Sequence, residues 1–298
     1  PLGLRGEIAE TLQELRSRGT RLILGLRDVM DDPKLLAKEW SRKNPVPALR
    51  DLYHQIWVYG LETICAPLAG LELPDVVLDK LAYTGYIGRR VPANSNAEVR
   101  PVFEAPFILV TAGGGGDGVE LVDRVLRAYE FDAASLPPAL VVFGPFMPSR
   151  WRDKFRARAE PFANLEVTTF DARLEALMAR AVGVVAMGGY NTFCEILSFD
   201  KPALILPRRK PRMEQYIRAA RAQELGLIKL VPERDPDRVK DARRMAQALA
   251  ELPSLPLPST RAIPGLLAGV DNIGVLLDAQ LEEVVGPLPQ PTVALPER

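Results

Sequence analysis

The sequence predicts an α/β protein of two layered units, each built on a parallel sheet. Short runs rich in Val, Ile and Leu recur along the chain, amphipathic patterns fall between them, and glycines or charges close them. In the first unit, "RLILGLRD" (21–28), "QIWVYG" (55–60) and "LAYTGYIG" (81–88) read as strands. A helix is expected over 4–18, and "PKLLAKEWSRK" and "VPALRDLYHQ" carry helical spacing between the strands. The polar, proline-bounded "VPANSNAEVRP" (91–101) reads as a linker, dividing the chain into units 1–92 and 93–285. The second unit repeats the alternation with "FILVTAG", "ALVVFGP", "LEVTTF", "GVVAMGG", "PALILP" and "LIKLV". Near-continuous apolar strands with helical crossovers predict a doubly wound sheet covered on both faces, whose ligands bind beyond the carboxyl ends of the strands. A closing helix is expected over 271–283, and 286–298 reads as a mobile tail.

Composition narrows the function classes. Of 298 residues, 47% are hydrophobic and 26% charged, which suits two modest globular units. Lys plus Arg and Asp plus Glu both number 38, so no global field recruits nucleic acid or an anionic membrane. No apolar run reaches the ~18 residues of a membrane span and no signal-peptide pattern occurs, so any membrane contact is peripheral. The expected setting is cytoplasmic, including the inner face of the membrane. With two cysteines outside any C-x-x-C pair and one histidine, neither zinc chemistry nor thiol redox is expected. Neither G-x-S-x-G nor H-E-x-x-H is present. The chain opens on Pro1 and enters a helix at once, so its first unit reads as starting inside a domain.

Three stretches carry candidate chemistry, each with a structural alternative. "TAGGGGDG" (111–118) follows a strand and precedes a helix, where Gly114, Gly115 and Gly116 let the backbone approach an anion. It lacks the G-K-[ST] of a P-loop, and the alternative is a flexible turn. In "VVAMGGYNTFCEIL" (184–197), Thr192 as N-cap and Glu195 three residues later form a capping box. Equally, Gly188 and Gly189 leave room for a diphosphate while Glu195 accepts from two ribose hydroxyls. In "PRRKPRMEQYIRAA", Arg208, Arg209, Lys210 and Arg212 read as a solvated loop or a phosphate contact. Glu214 and Gln215 stand at a helix start, suited to sugar hydroxyls or to an exposed first turn. His54 reads as packed beside Tyr53 and Trp57, while Arg27 and Asp28 pair with each other or face the cleft.

In this order, the glycine loop, "VTTF", "MGGYNTFCEI" and "KPALILP" with "MEQYIRA" over 108–232 resemble the C-terminal domain of glycosyltransferase family 28. That family includes the bacterial peptidoglycan N-acetylglucosaminyltransferase, and "LRDVMDDP" and "YTGYIG" are similar to bacterial predicted glycosyltransferases. The resemblance implies the GT-B architecture, with two Rossmann-like domains, the first incomplete here, facing a cleft. It implies a nucleotide-sugar donor, a UDP-sugar by preference, transferred with inversion and without a metal or other cofactor to a lipid-linked or soluble acceptor.

By position, the resemblance places Gly114, Gly115 and Gly116 near the donor phosphates and Phe170 and Asp171 beside the base. Gly188, Gly189 and Thr192 fall at the diphosphate, Asn191 within the same donor site, Glu195 at the ribose, and Glu214 and Gln215 at the donor sugar. Glu214 departs from the paired glutamines of the lipid II enzyme, so N-acetylglucosamine does not follow. The catalytic base is unassigned. A nucleotide-sugar 2-epimerase and a non-catalytic nucleotide-sugar-binding module are the alternatives. A chain starting inside its first domain is expected to bind donor and transfer little sugar.

Overall fold

The computed structural model describes residues 2–3, 6–92, 103 and 105–285, with side chains to 283. Nearly all of the linker expected over 91–101 and the tail expected over 286–298 lie outside the described residues.

The chain begins with α1 (Ala9–Ser17), β1 (Ile23–Arg27), α2 (Pro33–Lys43), α3 (Val46–Asp51), β2 (Gln55–Tyr59), α4 (Asp75–Leu78) and β3 (Leu81–Tyr83). The three strands pair in parallel in the order β1-β2-β3. α1 starts later than expected from the 4–18 pattern: Gly6 takes φ 82, a left-handed turn that a helix cannot pass through. In α2, Asp32 accepts from the Lys34 and Leu35 amides and Pro33 opens the first turn. A core of Leu22, Leu49, Tyr53, Ile56 and Val77 joins these helices to the sheet.

The second sheet holds β4 (Ile108–Thr111), β5 (Ala139–Val142), β6 (Leu165–Thr168), β7 (Gly183–Ala186), β8 (Ala203–Ile205) and β9 (Lys229–Leu230). Its order is β6-β5-β4-β7-β8-β9, every pairing parallel. The order reverses between β4 and β7, which makes that junction the topological switch point. The helices are α5 (Val119–Asp132), α6 (Ser149–Ala159), α7 (Leu174–Arg180), α8 (Tyr190–Ser198), α9 (Glu214–Glu224), α10 (Arg238–Glu251) and α11 (Gly269–Val285).

Strand alternation builds two cores. Ile108, Val110, Val141 and Val185 pack with α5, α6 and α10 on one face. Leu109, Leu140, Val184 and Ala186 pack with α7, α8 and α9 on the other. Each fully buried Val, Leu or Ile among them contributes about 1.5–3 kcal/mol. One buried ion pair, Arg124 to Asp241 at 2.8 Å, ties α5 to α10.

The chain returns to the first sheet through α11. The Gly269 amide donates to Tyr86 O, Asn272 Nδ2 to Thr84 O at 2.8 Å, and Arg21 pairs with Glu283. Glycine is required at the crossing: a Cβ on Gly85, φ 85, would stand 2.3 Å from Gly265 O. Among the described residues no helix is long and apolar enough to cross a membrane.

Candidate active site at the sheet switch point

Beyond the paired carboxyl ends of β4 and β7 lies a crevice of about 560 Å³. The loops after β4, β5, β6, β7 and β8 all reach it. The glycine loop supplies Gly114, Gly115 and Gly116 to one wall. Its shape is interlocked with the loop after β5: a Cβ on Gly115 would stand 2.4 Å from Phe143 O, and one on Gly144 would stand 2.3 Å from Gly113 O. Gly116 is different, with open space where its Cβ would be.

The opposite wall is the start of α8, and here the capping-box expectation is wrong. Gly188 at φ 75 turns the chain out of β7 and Gly189 is already the N-cap, so the helix begins at Tyr190. Thr192 falls at the third helical position and Glu195 at the sixth. No side chain caps the helix. The amides of Tyr190, Asn191 and Thr192 therefore have no intrahelical acceptor, and all three residues line the crevice. Glu195 is released from capping and lies in the crevice instead.

Its environment is unusual for a carboxylate. Burial pushes the Glu195 carboxyl up to about 7, Glu175 adds to the rise, and Arg89 partly opposes it. Phe170 and Asp171 line the edge after β6. Phe170 is 61% exposed, as an open aromatic platform would be. Asp171 is held by Arg173 at 3.0 Å, whose hydrogen bond keeps its carboxyl below the usual range.

The basic cluster separates. Arg208 enters the crevice and bonds Asp117 at 2.7 Å and Glu214 at 2.5 Å. Arg209 stacks on Tyr216, while Arg212 reaches Glu39 at 3.0 Å. Gln215 lines the crevice and accepts from the Arg208 amide. Two expected residues lie just behind the lining: Gly188 and Glu214. Gly188 offers its carbonyl to Arg218, and the Glu214 Oε2 atom is buried without a partner.

Behind Gly188 lies a buried network. Asp28 accepts from Arg218 Nε at 2.7 Å and Nη2 at 2.6 Å, and from the Tyr86 hydroxyl at 2.7 Å. Asp28 is 0% exposed and Arg218 1%. The pair fastens the end of β1 to α9 and, through Gly188, to the turn before α8. Arg27 and Asp28 do not pair: Arg27 lines the crevice while Asp28 points into this network.

His54 is not in the crevice. Its Nδ1 accepts from the Leu22 amide and its Nε2 meets Arg16, beside the first sheet. Both cysteines are free, and burial raises each thiol to about 11, which keeps them protonated. Sequence reading missed Glu175, whose only signal is its place in the first turn of the helix after β6.

Residues 108–252 match the glycosyltransferase family 28 C-terminal domain. No curated protein matches the sequence. Among solved structures, the chain is similar to the glycotransferase of kitacinnamycin, at 18% identity and a TM-score of 0.53, over 94% of this chain and 67% of that one. The calicheamicin glycosyltransferase CalG4 gives 15% and 0.54, over 93% and 65%. MurG of Acinetobacter baumannii gives 12% and 0.51, over 89% and 69%. The chain thus spans about two thirds of the length of each. At such identities the likeness speaks for the shared GT-B fold. Together with the family 28 match, it supports a glycosyltransferase.

Proposed function

We propose that the crevice holds a nucleotide-sugar donor, with a UDP-sugar as the first choice, and that the enzyme transfers the sugar to an acceptor hydroxyl with inversion. One observation carries the reading: a single crevice gathers the glycine loop, the uncapped start of α8 and the Glu195 carboxyl. The diphosphate lies against the amides of Tyr190, Asn191 and Thr192 and the glycines at 114–116, where helix and loop dipoles favour negative charge. Glu195, further along the same helix, accepts from the ribose hydroxyls, and Phe170 flanks the base. Gln215, with Glu214 behind it, faces the sugar.

In the reaction, the acceptor oxygen attacks the anomeric carbon from the face opposite the diphosphate and loses its proton to a base. The bond from that carbon to the diphosphate oxygen breaks with its electron pair, and the nucleoside diphosphate leaves. The leaving charge meets preoriented amides, so little reorganisation is required during bond breaking. The scheme calls for no metal.

Incubating the protein with a panel of nucleotide sugars and with lipid and soluble acceptor extracts tests the reading. Acceptor-dependent release of nucleoside diphosphate, however slow, with an inverted anomeric linkage by NMR, is expected. Conversion of the donor to its 2-epimer without any acceptor would instead favour the epimerase, for which the neighbouring Glu175 and Glu195 carboxyls are the supporting observation.

A further inference from the structure

We propose that Arg27, carried by the first sheet, is a catalytic residue that contacts the donor diphosphate and offsets the charge developing on it as the sugar departs. The inference rests on the nucleotide-sugar reading above and adds to it a residue from outside the family-matched segment. Among the described residues lining the crevice, Arg27 alone precedes residue 111.

Arg27 closes β1, and its guanidinium stands 5.9 Å from the ring centre of Tyr190, the first residue of α8. It lines the same crevice as the helix start whose amides have no intrahelical acceptors. The two crevice arginines differ in charge balance. Arg208 is already met by Asp117 and Glu214, whereas no carboxylate among the described residues pairs with Arg27. An exposed guanidinium that no described carboxylate pairs, beside an uncapped helix, is a complementary surface for a dianion, and its planar fork suits two phosphate oxygens.

Asp28, the residue after β1, is pinned inward by Arg218 and Tyr86, while Arg27 itself lines the crevice. Arg218 also lies 5.6 Å from the same Tyr190 ring and donates to Gly188 O, which ties the backbone that carries Arg27 to the backbone that forms the diphosphate wall. The cation is thus placed before the donor arrives. When the bond between anomeric carbon and diphosphate oxygen breaks, its electron pair stays on the diphosphate, beside Arg27. The acceptor oxygen forms the new bond, and its proton goes to the base.

Calorimetric titration with UDP and with uridine separates the diphosphate from the nucleoside. For Arg27→Met, UDP affinity is expected to fall about tenfold to a hundredfold, the range for a lost charge-assisted contact, while uridine affinity and melting temperature stay unchanged. Arg27→Lys should recover part of the loss, and added salt should weaken UDP binding more in the wild type than in Arg27→Met. Unchanged UDP affinity, or an equal fall for UDP and uridine, would overturn the assignment. Failure of the nucleotide reading is visible separately: wild-type protein binding neither these probes nor other nucleoside diphosphates overturns both before any variant is made.

Discussion

Removing the Asp28 carboxylate should strand the Arg218 charge in the interior. Four donors converge on this one carboxylate: Arg218 Nε and Nη2, the Tyr86 hydroxyl and the Val29 amide, all within 2.8 Å. With Asp28 0% and Arg218 1% exposed, water cannot replace the lost acceptor without opening the contact between the two sheets. Breaking a buried pair by deleting one partner costs about 3–5 kcal/mol. At about 2–4 °C per kcal/mol for a unit of 150–250 residues, Asp28→Ala should lower the melting temperature by roughly 6–20 °C.

The account also predicts a rescue. Replacing the three side chains by Asp28→Leu, Arg218→Met and Tyr86→Phe removes the stranded charge and the orphaned hydroxyl together, leaving the Val29 amide and Gly188 O without their partners, and should restore much of the stability. Thermal and urea unfolding, followed by near-ultraviolet circular dichroism, measures both variants. The triple variant should still bind UDP less tightly than the wild type, because Gly188 O loses its donor and the turn before α8 loosens. A loss under about 1 kcal/mol for Asp28→Ala, or a triple variant as unstable as the single one, would refute the reasoning.

Three further outcomes are expected. Glu195 has its folded pKa raised to about 7, so its neutral form is favoured in the free protein. The stability it contributes is present below its ordinary range near 4.5 and is lost as pH rises through about 7. Ribose hydroxyls need the ionised form, so UDP-sugar affinity should fall by up to about tenfold per pH unit below 7, and Glu195→Gln should flatten the profile. A profile unaffected by that substitution would remove Glu195 from the ribose. Gly116→Ala and Gly189→Ala meet no near neighbour, so they should leave melting unchanged while weakening UDP binding; Gly144→Ala, at φ 88 against Gly113 O, should destabilise by at least ~2 kcal/mol. Full UDP affinity in both of the first two would show that no ligand approaches those backbones. Glu214→Gln should change the ranking among UDP-sugars with UDP affinity held constant, and a joint fall would place Glu214 outside the sugar subsite.

Strand positions were legible because each is a short apolar run closed by glycine or charge, and all nine occur where expected. The parallel doubly wound character followed from the absence of polar alternation in "FILVT", "ALVV" and "GVVA", whose residues are buried on both faces. Local chemistry misled at "GGYNTFCE". T-x-x-E satisfies the capping-box pattern, yet glycine at N-cap lets the helix begin earlier, and the pattern carries no sign of which start prevails. The opening helix failed similarly, because helical spacing does not reveal that Gly6 turns left-handed. Long-range pairing was invisible: Asp28 and Arg218 lie 190 positions apart, and nothing near either names the other. The same holds for Glu175 beside Glu195. The distinct roles of Arg208 and Arg212 depended on which acids the fold brought to them, Asp117 and Glu214 for one, Asp31 and Glu39 for the other.

The crevice beyond β4 and β7 is the proposed nucleotide-sugar donor site. Calorimetric titration of wild-type and Glu195→Ala protein with a UDP-sugar at pH 8, where Glu195 is ionised, tests it most directly. The account predicts one site per chain in the wild type, and an affinity lower by about 1.5–3 kcal/mol in the variant with folding intact, as for loss of a charge-assisted hydrogen bond. Equal affinity in the two proteins, or saturable binding that survives when the glycine loop is disrupted by Gly144→Ala, would contradict it.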